Sequence, residues 1–174
     1  MDTVKRERKF EALVVAYGRT LYRYAYWLCK DATAAEDLVQ VTLMKAWEAL
    51  DQLRNEKAAL SWLLTILRRE HYRAATVPER RAAHLALESI ADLASPATIR
   101  IDALSIRRAI LTLPRHLREP LVLRLLEDLS VVEISSIMDL SVANVTTRLF
   151  RARRAIRQHL LEGGHTELSR EVGT

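Results

Sequence analysis

Apolar residues recur at three- and four-residue steps along most of this chain, and no stretch alternates apolar with polar as a half-buried strand would. The pattern predicts helices throughout. A first helical block runs over about residues 10–73. Its second helix should open with a capping box of Thr33 and Glu36 and continue as AAEDLVQVTLMKAWEAL. Residues 51–57 are polar and break the period, and Ser61 then starts a helix reading SWLLTILRREHYR. From Thr76 to about Arg100 the period weakens, with Pro78 and Pro96 as punctuation, which predicts a linker that could hold one short helix. A second block starts near Asp102, where Pro114 and Pro120 should separate or open helices, since proline fits a helix only in its first turn. The expectation is an all-α fold of two small helical domains, 1–75 and 102–174, joined by a flexible linker at 76–101.

The stretch 129–160, LSVVEISSIMDLSVANVTTRLFRARRAIRQHL, carries the most chemistry. Ser130 and Glu133 form a second capping box, Asp139-Leu140-Ser141 makes a tight turn, and Ser141 is placed to cap the helix that follows. In that helix Val142, Val145, Leu149, Ala152, Ile156 and Leu160 make the apolar stripe. The opposite side bears Ala143, Asn144, Thr147, Arg151 and Arg154, with Thr146 and Phe150 on one shoulder. Arg148, Arg151, Arg153, Arg154 and Arg157 follow one another without an intervening acid. Two short-linked helices with the second loaded with arginine form the helix-turn-helix pattern that places a recognition helix in the DNA major groove. Asn and Thr can bond base edges, and Arg can bind guanine or phosphate. Phe150 lies off the apolar stripe and has two readings, packing on a neighbouring helix or touching a thymine methyl or a sugar.

Two further faces stand out in the first block. On the helix from Ala34, the residues Val39, Leu43, Ala46, Trp47 and Leu50 form the expected core face. The other side shows Asp37, Val41, Met44, Lys45 and Glu48, with Leu38 and Gln40 on its flanks. Val41 and Met44 amid charges fit either a protein-docking patch or a surface covered by another helix of the bundle. The helix from Ser61 should bury Trp62, Leu63, Ile66 and Leu67. Its other side carries Thr65, Arg68, Arg69 and Tyr72, followed by Arg73 and then Arg80 and Arg81. Basic residues with an interleaved tyrosine suit a nucleic-acid strand, while the alternative is a basic helix end complementing the helix dipole.

Composition narrows the classes. The chain has 174 residues and a formal charge of +5, with only four Gly, four Pro and one Cys. Its pI near 9.7 favours a polyanionic partner. Cys29 alone permits no intramolecular disulfide, and its apolar surroundings make it a small buried residue. The charged run Lys5, Arg6, Glu7, Arg8, Lys9 contains no signal-peptide core, and no apolar run is long enough to span a membrane. The expectation is a cytoplasmic protein. No nucleophile–base pair, phosphate-cradling Gly loop or metal cluster is visible, so neither an enzyme nor a metal or cofactor is expected.

Taken in order, AAEDLVQVTLMKAWEAL, SWLLTILRREHYR, LPRHLREPLVLRLLEDLSVVEISSIMDLS and VTTRLFRARRAI resemble the signature stretches of bacterial RNA polymerase sigma factors, and the brevity resembles the extracytoplasmic-function (ECF) group. The resemblance implies docking on the β′ clamp helices by the segment 36–40, with Asp37, Gln40, Val41, Met44 and Lys45 as the core-polymerase set, and a further contact to the β flap. It implies that the segment 53–73 opens the −10 element and captures a flipped base, with Arg68, Arg69, Tyr72 and Arg73 as the strand-binding set. It implies that the helix over 142–154 reads the −35 element through Asn144, Thr146, Thr147, Arg148, Phe150, Arg151 and Arg154. The linker would run through the RNA exit channel, with Glu88 and Asp92 as its acidic candidates. An anti-sigma factor is an implied partner, able to hold the protein at the inner membrane face. The chain departs from the family's pattern at Arg69, where many members have Asn, and near Arg73, where a second small polar residue is common. No −10 base preference therefore carries over. Asp139 stands where the turn often has Gly, and Asp can adopt the left-handed conformation at modest cost. Two other classes compete. A regulator with a helix-turn-helix output would need a ligand-binding or receiver domain, and a decoy for an anti-sigma protein would not need the arginine helix.

Overall fold

The computed structural model describes residues 3–75 and 100–171. Among them the regular structure is helical: α1 (Thr3–Cys29), α2 (Ala32–Glu48), two 3-10 turns (Leu50–Gln52 and Glu56–Ala58), α3 (Ala59–Ala75), α4 (Arg100–Thr112), α5 (Arg115–Glu127), α6 (Val131–Met138) and α7 (Val142–Glu171). Arg80, Arg81, Glu88 and Asp92 lie outside the described residues. No described helix is long and apolar enough to cross a membrane.

The first helix starts at Thr3 rather than near Phe10, because its charged first turns are tied down by distant residues. Arg6 donates to the Trp47 carbonyl at 2.7 Å, lies 4.9 Å over the Trp47 ring and pairs with Asp51 at 3.2 Å. Lys9 donates to the Leu53 carbonyl at 3.0 Å. Both side chains are half-buried and place their charge on the carbonyls of Trp47, in the last turn of α2, and Leu53, just past the first 3-10 turn. Around them Leu13, Leu50, Leu53 and Ala59 form a core cluster, enclosed by Phe10, Tyr17, Trp47 and Trp62.

The start of α2 corrects the expected Thr33–Glu36 box. Lys30 takes a left-handed conformation at φ 59° to end the chain reversal, and Asp31 is the N-cap, its carboxylate accepting from the Ala34 N–H at 2.7 Å. Asp is as good a cap as Thr, and it comes first in the chain. The buried line of α2 is Ala35, Leu38, Thr42 and Ala46, while Val39, Leu43 and Trp47 are half-buried. Leu38 is therefore core, not the flank of an outward face. Helices α1 and α3 both pack on α2, so the buried arc is wider than a single stripe and centred one residue earlier. Thr42 can sit in this core because its hydroxyl donates to the Leu38 carbonyl at 2.7 Å.

A similar widening occurs on α3, where Leu63, Leu64, Leu67 and His71 are buried and Trp62 and Ile66 are half-buried. Cys29 is buried, with its Sγ 3.7 Å from His71 Nδ1.

Pro114 precedes α5, accepting from the Leu117 and Arg118 N–H groups, as the sequence predicts. Pro120 neither separates nor opens a helix, because it lies inside α5. Its side chain is fully buried, and that burial offsets the missing backbone hydrogen bond.

The chain forms two compact units, one from Met1–Glu88 with Val122–Leu140 and one from Ser89–Leu121 with Ser141–Thr174. Within the first, α1, α2 and α3 pack on one another and α6 packs on α3. Within the second, α4 packs on α7.

Candidate functional site

The turn between α6 and α7 has the geometry that the sequence predicts. Ser130 and Glu133 form a reciprocal capping box: the Ser130 Oγ accepts from the Glu133 N–H at 3.2 Å, and Glu133 Oε2 accepts from the Ser130 N–H at 2.8 Å. The Ser130 hydroxyl also donates to Glu133 Oε2 at 2.7 Å, and these two bonds hold the Glu133 carboxyl below the usual carboxylate range. Asp139 takes the left-handed conformation at φ 54°, and the Leu140 N–H returns to the Ser135 carbonyl at 3.0 Å to close α6. Ser141 then caps α7 by accepting from the Asn144 N–H at 3.2 Å.

From that cap α7 divides into two sides. Val145, Leu149 and Ala152 are buried, while the ends of the predicted stripe, Val142 and Leu160, are exposed. Asn144, Thr146, Thr147, Phe150, Arg151 and Arg154 are all exposed, and Arg148 is half-buried. Phe150 is 66% exposed, so no described helix covers it and the packing reading fails. The Thr146 and Thr147 hydroxyls donate to the Val142 and Ala143 carbonyls at 2.8 and 2.9 Å, leaving lone pairs and methyl groups outward. Arg148 Nε donates to Asn144 Oδ1 at 2.7 Å.

The α2 residues divide between two grooves. Asp37, Gln40, Val41 and Met44 line a cavity of about 520 Å³, together with Cys29 and, from α3, Glu70, His71 and Arg73. Met44 is 64% exposed there, and no described helix of the bundle covers it. Lys45 is separated from that set. It lines a second cavity of about 410 Å³ with Glu48, Gln52, Trp62, Ile66 and Arg69, and it pairs with Glu48 at 2.7 Å.

The four α3 residues have different neighbours. Arg68 stacks on Tyr72, its guanidinium carbon 4.6 Å from the ring centroid, so one face of that ring is taken. His71 meets the Tyr72 ring edge-on at 5.6 Å. Arg73 donates to Glu70 at 2.6 Å beside the first groove, and Arg69 is exposed at the second. Glu70 and Trp62, not singled out as site residues in the sequence, are groove-lining residues. Glu70 lines both cavities, and only its spacing of three from Arg73 hints at a role.

Family models for sigma-70 region 2 and sigma-70 region 4 match residues 13–77 and 103–156, which contain α2 with α3 and the α6–α7 turn. The RNA polymerase sigma-H factor of Pseudomonas aeruginosa is 32% identical over 165 residues, spanning 86% of this chain and 85% of that protein. The chain belongs to the RNA polymerase sigma-factor family. Within it, the sigma factor is similar to the ECF factor SigW of Bacillus subtilis, 28% identical over 87% of this chain and 88% of SigW. It spans 41% of the length of RfaY from Xanthomonas campestris, with which it shares 32% identity over 90% of its own length. The structure of the sigma factor RpoE from Bartonella quintana, solved in complex with the anti-sigma factor NepR, superposes with a TM-score of 0.72 at 28% identity and covers 88% of this chain and 97% of that one. The two matched regions and these relatives make this an ECF sigma factor.

Proposed function

We propose that this sigma factor directs core RNA polymerase to promoters by reading duplex −35 DNA with α7 and holding a melted −10 strand on α3, while the outward face of α2 docks on the polymerase. The observation that carries the reading is the exposed, acid-free face of α7 over residues 142–161, directly after a capped left-handed turn. A phenylalanine left 66% exposed among arginines has no packing role there, whereas a thymine methyl offers it a partner. Core polymerase alone binds DNA through charge without sequence preference, so selectivity has to come from such a face.

Asp37, Gln40, Val41 and Met44 are assigned to β′ clamp docking, and Lys45 joins Arg69 at the second groove. The −10 set is Arg68, Arg69, Tyr72 and Arg73, in which the Arg68–Tyr72 stack supplies charge and a ring together. The functional division into 1–75 and 102–174 is part of this proposal, as are the β flap contact, a cytoplasmic location and an anti-sigma partner. RpoE, a structural relative, was solved with its anti-sigma factor NepR, which supports the last. The chain needs no catalytic step of its own, because selection requires only differential binding.

The test is run-off transcription with purified core polymerase and a promoter library. Transcripts starting at a defined distance from shared −35 and −10 sequences are expected. Core polymerase giving the same transcripts with and without the protein would refute the reading.

A further inference from the structure

The recognition face of α7 pairs two residues one helical turn apart. Arg148 Nε can only donate, so its 2.7 Å contact fixes the Asn144 amide with its oxygen towards Arg148. Residues four apart stack along the helix axis, so this bond turns the amide along the helix rather than out towards a base. Asn reads adenine by accepting from N6 and donating to N7 at once. Asn144 cannot present that outward pair while its oxygen holds Arg148. Arg148 keeps both terminal NH2 groups, which no other described residue engages, and these form a two-donor fork matched to guanine O6 and N7. The threonines beside it supply no competing donors, because both hydroxyl protons are spent on backbone carbonyls.

We infer that Asn144 is a positioning residue that sets Arg148 to read a guanine in the −35 duplex, and that Asn144 does not itself read adenine. This rests on α7 being the −35 reader. The pair sits on the first two turns of the helix, the part of a recognition helix that reaches base edges. Free of Asn144, the Arg148 side chain would sample many rotamers, and ordering it on binding would weaken the contact.

Full-length protein assembled with core polymerase is titrated with duplex promoters in which each −35 guanine is replaced in turn by 7-deazaguanine, which lacks the N7 acceptor. Wild type should lose about 5- to 100-fold in affinity at one guanine, the range of a bidentate pair. Arg148→Ala should abolish that sensitivity while leaving sensitivity at other positions. Asn144→Ala should reduce the same sensitivity, and Asn144→Asp should restore it, since a carboxylate also accepts from Nε. Equal loss by Arg148→Ala on every sequence would overturn the inference by making Arg148 a phosphate contact. A changed preference at an adenine in Asn144→Ala, with the guanine response intact, would overturn it by making Asn144 a reader. Wild-type binding with no dependence on any −35 base would instead overturn the functional reading beneath it.

Discussion

Replacing Ser130 by alanine tests whether the local cap at α6 holds the helix-turn-helix in shape. The substitution removes the oxygen that accepts from the Glu133 N–H at 3.2 Å and donates to its carboxylate at 2.7 Å. The reverse bond, from the residue 130 N–H to Glu133 at 2.8 Å, survives. Both side chains are exposed, so water replaces the lost partner and the full penalty of a buried unsatisfied group does not apply. The expected cost is about 1 kcal/mol, within the 0.5–2 range for such caps. It falls on a helix of only eight residues, too short to hold itself without its caps and packing. Hydrogen exchange reads this locally, and the Ile134 amide, bonded to the Ser130 carbonyl at 3.0 Å, should exchange about fivefold faster at pH 7. Glu133 adds a sign. The Ser130 side-chain bond, then the Ser130 backbone bond, lowers its pKa in the folded state. That contribution is present above the unfolded glutamate value of about 4.3 and is lost as pH falls through the folded value. Alanine removes the larger cause, so the gap between wild type and variant should narrow by a few tenths of a kcal/mol on acidification, small because Glu133 is solvent-screened. Equal exchange at pH 7 would refute the cap, and a gap that widens below pH 4 would refute the sign.

Gln40→Ala combined with Val41→Glu should lower affinity for core polymerase in pull-down while circular dichroism stays helical, and unchanged capture would remove the α2 face from the interface. Arg69→Ala should impair permanganate-detected melting of the −10 region more than retention on duplex promoter DNA, because a strand partner exists only after the strands separate. Wild-type melting would make Arg69 a bystander. Arg151→Ala should weaken transcription from promoters with an intact −35 element by about 1–3 kcal/mol. Equal loss on scrambled −35 sequences would reduce Arg151 to a phosphate contact.

What could be read from the chain and what could not divide along one physical line. The Ser130–Glu133 box, the turn at Asp139 and the arginine face of α7 depend on spacings of three or four residues, which covalent geometry sets before any tertiary contact forms. One misplaced feature is itself local, because Asp31 caps α2 two residues before the expected Thr33; others depend on residues far along the chain. The sequence pattern starts the first helical block near Phe10, yet Arg6 finds the Trp47 carbonyl 41 residues later and the helix extends to Thr3. Leu38 was assigned to a flank because one stripe was assumed, whereas α1 and α3 both cover α2. Pro120 reads as separating or opening a helix because the loss of its hydrogen bond is visible in the sequence, whereas its full burial inside α5 is not. Phe150 and Met44 each have two readings for the same reason, and the structure leaves both side chains exposed.

The same distinction governs how variants on α2 and α3 should be interpreted. The clamp-docking set and the −10 set were separate lists in the sequence, but Glu70 lines both grooves, pairs with Arg73 at 2.6 Å and adjoins Arg69 in the chain. Lys45, assigned to docking by its place on α2, shares a groove with Arg69. Residues that share a partner are not energetically independent, and coupling between such neighbours reaches about 0.5–3 kcal/mol. A docking defect at Lys45 and a melting defect at Arg69 can therefore each leak into the other assay. Of the two grooves Gln40 and Val41 line the first, and Arg151 lies on a different helix, so those variants separate docking from −35 reading. Arg69→Ala has to be compared at equal occupancy of core polymerase before its melting defect is assigned to the DNA strand.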